Sequence, residues 1–347
     1  MSEARAYGAA SPTSPLAPMT LTRREPRERD VEIDIAYCGI CHSDLHTVRG
    51  EWGEGAYPIV PGHEIVGRVS RVGKKVKKFK VGDLAGVGCM VDSCRKCPQC
   101  RKGLEQHCQN RISFTYNAFE QDGVTPTQGG YSTRIVVDEA FVLKIKSGLP
   151  LERVAPLLCA GITTYSPLKR HGVKKGSRVG VLGLGGLGHM AVKLAAAMGG
   201  KVVVLSGTES KRADARALGA AEFVLTKDAA EMTKRAGTLD LIIDTVSGAH
   251  DVNAMIGLLA VGGTLVMVGA SPAPHAVGSF PLIVGRRAVE GSLIGGIAET
   301  QEMLDFCAKK KVLADVEVIA AKDINAAYER LLKSDVRYRF SIDCSTL

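Results

Sequence analysis

The chain of 347 residues carries 45 Lys and Arg against 36 Asp and Glu, a formal charge of +9, with 45% hydrophobic, 23% charged and 5% aromatic residues and 39 glycines. At roughly 100 to 200 residues per domain this length favours two domains, and the balance of apolar and charged residues excludes wholesale disorder and fibrous repeats. Many glycines with few aromatics suit an α/β chain with tight strand-to-helix turns, and the positive charge raises two polyanionic partners, nucleic acid or a phosphorylated cofactor. The 10 cysteines follow a start (1–19) with no basic patch and apolar run, which points to metal ligation in a reducing, cytoplasmic setting rather than to disulfides.

From about Val31 to Lys146 short β-branched runs (31–36, 65–72, 83–87, 131–137, 141–145) are separated by Gly, Pro and Asp, which predicts a β-rich domain. Within it, Cys38, Cys41, His42, Asp44 and His46 crowd one short segment, and His63 and Glu64 follow. Cys41 and His63, with Cys159 much later, would supply two thiolates and an imidazole around zinc, leaving a fourth position that Glu64 could fill. Spacing alone leaves this open, because a Cys in an apolar run such as Cys159 is more often a core residue. The basic run of Lys74, Lys75, Lys77, Lys78 and Lys80, interleaved with Val76, Phe79 and Val81, reads as a solvated strand or turn.

Cys94, Cys97, Cys100 and Cys108 form a C-x2-C-x2-C-x7-C cluster. Thiolates this dense repel one another unless a cation neutralises them, and four sulfurs make the closed tetrahedral shell of structural zinc. An iron–sulfur cluster is the rival, but its fourth cysteine usually follows after three residues and precedes Pro. Cys38, Cys89, Cys307 and Cys344 find no ligand role and read as buried core thiols.

After about Ala155 the rhythm changes to strands (179–182, 201–205, 222–225, 239–244, 263–268) alternating with helices (188–198, 210–218, 229–235, 252–260), which implies a doubly wound parallel sheet. The apolar stretches at 179–200 and 254–273 are broken by glycines and read as buried strand-turn-helix units, so no membrane partner is expected. The first strand leads into Gly183, Leu184, Gly185, Gly186, Leu187 and Gly188, a turn that lets a pyrophosphate approach the following helix. The second strand ends at Ser206, Gly207 and Thr208, with Lys211 and Arg212 beyond. An NAD enzyme would place an acid there; hydroxyls and cations favour the 2′-phosphate of NADP, with Glu209 as the dissenting residue. The last part of the chain predicts a helix (299–309), a strand (316–319), a helix (324–332) and a strand (339–343).

Together these motifs resemble the zinc-containing medium-chain dehydrogenases, and within them the cinnamyl alcohol dehydrogenase-like, NADP-dependent branch. The resemblance runs nearly end to end and rests on 41–46, on Gly62-His63-Glu64 with Gly67 and Gly73, on the cysteine cluster, and on 126–131, 158–161, 183–189, 297–300 and 335–340. It implies an α/β architecture: a GroES-like catalytic domain (1–154 and 296–347, with a structural zinc lobe at 89–110) and a Rossmann domain (155–295), the site lying in the cleft between them. It implies two zinc ions per chain, with Cys41, His63, Cys159 and the exchangeable Glu64 on the catalytic one. Asp44 would orient the ring of His63, Ser43 would meet the reacting oxygen, and His46 would relay its proton. Thr163, Thr245, Gly269, Ser292, Leu293 and Ile294 fall at cofactor positions, Ser206, Thr208 and Lys211 at the adenosine phosphate, and Trp52 and Phe114 in the substrate pocket. A homodimer is likewise implied. Plant members usually have Thr at Ser43 and Trp at Phe114, which weakens any assignment to monolignols.

The expected function is therefore reversible hydride transfer between NADPH and aromatic or medium-chain aliphatic aldehydes. The alternative is a basic, zinc-binding nucleic-acid module with an inactive Rossmann half, which predicts salt-sensitive binding to DNA or RNA. A zinc-free quinone reductase of the same superfamily would lack both cysteine sets.

Overall fold

The strand Asp30–Ile40 is the spine of the first half of the molecule, because Val31, Ile33 and Ile40 are fully buried and its length lets three strands pair with it. The computed structural model describes residues 2–53 and 55–347. Its chain divides into two units, one ending at Cys159 and resuming over Gly295–Leu347, the other spanning Ala160–Ile294.

In the first unit a seven-stranded sheet runs Val316–Ala320, Arg339–Asp343, Asp30–Ile40, Ile65–Val72, Leu84–Val87 and Leu143–Lys144, with Arg134–Asp138 also pairing along Asp30–Ile40. Fully buried apolar side chains each contribute about 1.5–3 kcal/mol; Ile33, Ile65 and Phe340 of the sheet, with Leu157 and Leu158 packed on it, are among them. The expected strand at 141–145 is mostly absent: Asp138 accepts a hydrogen bond from the Ala140 N–H and starts a 3-10 turn, Glu139–Phe141, leaving only Leu143–Lys144 extended. A hairpin of Ser2–Gly8 with Ala17–Arg23 precedes the sheet, and a second, Met90–Ser93 with Ile112–Phe114, carries the cysteine cluster.

The expected boundary between 154 and 155 moves to 159/160. The 3-10 turn Ala155–Leu158 packs on Asp30–Ile40, Ile65–Val72, Leu84–Val87 and Arg339–Asp343, so its apolar residues belong to the first unit's core and carry Cys159 with them. The other junction falls at Gly295 rather than at 296.

The second unit is a six-stranded parallel sheet in the order Glu222–Leu225, Lys201–Ser206, Arg178–Leu182, Leu239–Asp244, Leu259–Met267, Ala288–Gly291. Its continuous apolar strands are covered on both faces, as parallel strands require, and Leu182, Val203, Leu205, Ile242, Ile256 and Leu265 form one cluster. The helix expected to 260 stops at Leu258 because Leu259 and Ala260 already pair in the next strand. Among the described residues no helix is long and apolar enough to cross a membrane.

Candidate functional site

Cys41 ends the spine strand and caps the short helix His42–Val48, whose third residue, Asp44, returns a carboxylate to the Cys41 N–H at 2.8 Å. Asp44 is fully buried and accepts three further bonds: from the Gly62 N–H at 3.1 Å, the His63 ring at 3.0 Å and the Tyr131 hydroxyl at 3.2 Å. One carboxylate thus starts a helix, holds the loop at Gly62 and fixes the His63 ring, whose other face stacks on Tyr116 at 5.8 Å between centroids. Burial works against a charged His63, but the Asp44 carboxylate prevails and holds the imidazole well above its usual range.

Cys41, His63, Glu64 and Cys159 are all buried, with ligand atoms within 4.8 Å of one another. The Cys41 and Cys159 sulfurs are 3.9 Å apart; two thiolates about 2.3 Å from one tetrahedral zinc stand about 3.8 Å apart. The Cys159 thiol hydrogen-bonds to Cys41, pulling Cys41 down into the thiolate range and pushing Cys159 up. Glu64 is fully buried and pairs with the Arg339 guanidinium through Oε1, while Oε2 has no partner among the described residues. Burial raises its carboxyl to about 7 against the pull of Arg339. A Cβ on Gly39 would lie 1.9 Å from Glu64 Oε2, so glycine there lets the carboxylate lie against the backbone. An orphaned carboxylate oxygen beside two thiols and an imidazole is a donor set that fits zinc.

Ser43 Oγ lies 3.5 Å from the Cys41 sulfur. His46 pairs with Glu51 at 2.5 Å and stacks on Trp52 at 5.1 Å. Trp52 is 53% and Phe114 39% exposed. Cys38, Cys307 and Cys344 are buried, but Cys89 is not the core thiol expected. It is half-buried beside Leu158, whose carbonyl it meets at 3.8 Å, and hydrogen-bonded contact with Cys159 lowers its thiol.

In the lobe, Cys94, Cys97, Cys100 and Cys108 also converge within 4.8 Å, with Cys94 and Cys97 sulfurs 3.9 Å and 3.5 Å from that of Cys100. Backbone N–H groups, that of Lys96 foremost, bring Cys94 down to about 6, while burial pushes Cys100 up to about 12. Among the described residues no carboxylate or imidazole enters this set, and four sulfurs would close a tetrahedral shell around a metal with no position left for substrate. Three lysines of the basic run are engaged: Lys74 and Lys75 pair with Glu28, and Lys78 donates to the Val142 carbonyl.

In the second unit the expected cofactor residues gather at one edge, the carboxyl ends of the parallel strands, where α/β sheets bind ligands. Gly183, Thr245, Gly269 and Ser292 each follow a strand of the sheet within two residues, Leu293 and Ile294 continue from Ser292, and Ser206 ends the second strand. Thr163 is carried by helix Ala160–Arg170 rather than by a strand end. Gly183 has φ +86, and a Cβ on Gly188 would lie 2.2 Å from the Gly183 carbonyl oxygen, so the turn closes only with glycine; Gly185 faces open space. That open cradle at the start of helix Gly188–Ala197, with Leu184 and Leu187 framing it, fits a pyrophosphate. Lys211 Nζ reaches back to the Leu184 carbonyl at 3.2 Å, and Ser206 Oγ accepts from the Thr208 N–H. Arg212, by contrast, is spent on Glu209 and Glu231, which also neutralises the dissenting acid.

Reasoning from sequence gave no role to Arg339, Tyr131, Tyr116 or Glu51. The segment 335–340 and Tyr131 stood in the matched motifs, so the signal was present, but their contacts with Glu64 and Asp44 span distant parts of the chain.

The alcohol dehydrogenase GroES-like domain family matches residues 27–147, and the zinc-binding dehydrogenase family matches 186–309. NADP-dependent alcohol dehydrogenase C 1 of Mycolicibacterium smegmatis is 55% identical, covering 100% of this chain and 99% of its own. Among solved structures, a cinnamyl alcohol dehydrogenase from Sorghum bicolor superposes with a TM-score of 0.96 at 44% identity, covering 99% of this chain and 98% of its own. A protein designated CAD from Helicobacter pylori, solved in complex with NADP(H), superposes with a TM-score of 0.93 at 45% identity over 99% and 98% of the two chains. The chain belongs to the zinc-dependent alcohol dehydrogenase family, in its cinnamyl alcohol dehydrogenase-like branch. The nucleic-acid reading finds no support in any of these likenesses.

Proposed function

We propose that the protein is an NADP(H)-dependent alcohol dehydrogenase and aldehyde reductase with a catalytic and a structural zinc in each chain. The observation that carries this is the buried set of Cys41, His63, Glu64 and Cys159, in which one carboxylate oxygen is left without a partner. When bound, zinc polarises a carbonyl as a Lewis acid and NADPH supplies hydride to its carbon. The chain's own residues do the rest. Asp44 keeps the His63 ring oriented with its free nitrogen available. Ser43 gives a proton to the reduced oxygen, and His46, partly open to solvent and paired with Glu51, returns it. Trp52 and Phe114 offer exposed apolar surface suited to aromatic or medium-chain aliphatic aldehydes.

Lys211 is the cation we assign to the 2′-phosphate of NADPH. An NADPH-oxidation screen over an aldehyde panel tests the activity, and absence of turnover with every member would refute it. In the same assay Lys211→Ala raises the KM for NADPH by about tenfold and leaves that for NADH within about twofold, the size of one lost charge-assisted contact. Equal changes for both cofactors would remove Lys211 from the phosphate.

The active form is proposed to be a homodimer. Phe280, Ile283 and Val284 on helix Ser279–Gly285 are 74%, 71% and 68% exposed, next to the edge strand Ala288–Gly291. Apolar surface beside an unpaired strand edge suits an interface. Light scattering should give a dimer for the wild type and a monomer for Ile283→Glu; a wild-type monomer, or a dimer that survives the change, refutes this surface. Six thiols in two metal clusters need a reducing compartment, which supports a cytoplasmic location; fractionation that finds active enzyme outside the cell would contradict it.

A further inference from the structure

At the end of strand Lys201–Ser206 the chain turns through Gly207 and Thr208, and the next strand, Glu222–Leu225, ends beside it. The Thr226 N–H donates to the Ser206 carbonyl at 2.9 Å, which brings Thr226 and Lys227 alongside the turn. A Cβ placed on Gly207 would lie 3.4 Å from Lys227 Cε and 3.6 Å from Thr226 Oγ1. The lysine stem therefore lies against Gly207, between Ser206 and Thr208 in the chain.

The acids of this corner are all engaged elsewhere. Glu209 is held by Arg212 at 2.5 Å and 2.9 Å. Glu231 accepts from Arg212 and from the Leu225 N–H, and Asp228 caps the helix Ala229–Arg235 through the Ala230 and Glu231 N–H groups. Arg212 is consumed in the process. Lys211 makes only the bond to the Leu184 carbonyl, and Lys227 has no hydrogen bond or ion pair among the described residues. The corner thus carries two lysines from two different segments, together with the hydroxyl residues Ser206 and Thr208, and no carboxylate pairs with either lysine among the described residues.

We propose that Lys227 is a second cationic anchor which, with Lys211, binds the 2′-phosphate of NADPH and sharpens discrimination against NADH. This rests on the reading of the strand end as the adenosine-phosphate site. Two cations on opposite sides of a phosphate neutralise a charge near −2 better than one, and a compact ammonium on a flexible stem suits that task.

The test is calorimetric titration of the zinc-loaded enzyme with adenosine 2′,5′-bisphosphate and with 5′-AMP. The wild type binds the bisphosphate more tightly. Lys227→Ala weakens the bisphosphate about threefold to fivefold, the size of an exposed charge pair, leaves 5′-AMP unchanged, and Lys227→Arg restores the preference. The proposal is overturned if Lys227→Ala keeps the wild-type bisphosphate affinity while Lys211→Ala loses it, because one lysine then suffices. A wild type that binds both nucleotides equally overturns the phosphate site itself, and Lys227's role with it, so the two failures are told apart.

Discussion

Cys41→Ala and His63→Ala each reduce kcat/KM for NADPH-dependent aldehyde reduction by roughly a thousandfold or more, since Lewis-acid stabilisation of several kcal/mol is lost at about 1.4 kcal/mol per factor of ten. Among the described residues the donors beside this set replace it poorly: Ser43, a hydroxyl, is a weak donor to zinc, and the Cys89 thiol is held against Cys159 and the Leu158 carbonyl. Zinc content measured by elemental analysis falls from two ions per chain to one, because the lobe's cysteines are a separate set. The fold persists, since Asp44 still caps helix His42–Val48 through the Cys41 backbone whatever side chain residue 41 carries. Either variant retaining near wild-type turnover with one zinc per chain would sink the catalytic assignment.

Cys97→Ser produces the opposite pattern: a thermal midpoint lower by roughly 10 °C or more, from loss of several kcal/mol of metal-linked folding energy at about 2–4 °C per kcal/mol. The lobe has little else to hold it. Its secondary structure is a two-stranded hairpin, a helix of four residues at Pro98–Arg101 and a single 3-10 turn at Glu105–His107. Cys97 is also the cap of that helix, its sulfur accepting from the Cys100 N–H at 3.5 Å. Differential scanning calorimetry and zinc analysis on the same samples separate the two sites: Cys41→Ala loses rate and keeps its midpoint, Cys97→Ser loses its midpoint. A Cys97→Ser protein with two zinc ions and an unchanged midpoint would show that the cluster is not a metal site.

Much of the second unit was legible in the sequence, because buried parallel strands and amphipathic helices alternate there with glycine turns between them. The N-terminal hairpin was not: its buried residues are the small Ala4, Ala6 and Gly8 and the charged Arg23, so no bulky apolar alternation marks it. The strand Ala288–Gly291 is likewise short, without a fully buried residue, and unremarkable in composition. For the buried ligand set, residue types and motif company brought Cys41, His63, Glu64 and Cys159 together on paper. What sequence could not disclose was their support. Arg339 meets Glu64 across 275 residues and Tyr131 meets Asp44 across 87, and a lone Arg or Tyr gives no local sign of such a partner. Lys211 and Arg212 looked equivalent as neighbours on one turn, and only the positions of Glu209 and Glu231 separate them.

The strand Arg339–Asp343 sits inside the first unit's sheet, paired with Asp30–Ile40 from the other end of the chain. On a ribosome adding about 5–20 residues per second, the interval from Cys159 to Arg339 lasts roughly ten to thirty-five seconds. By its last quarter the second unit, continuous from Ala160 to Ile294, has all of its strands, while the first still lacks an inner strand and the cation that pairs with Glu64. Two clusters of thiols, one beside the half-built sheet and one on the separate hairpin of the lobe, therefore wait, exposed to oxidation and to the wrong metals. The order of synthesis makes early zinc capture by the lobe, complete once Cys108 has emerged, a safeguard for the nascent chain as well as a support for the finished one.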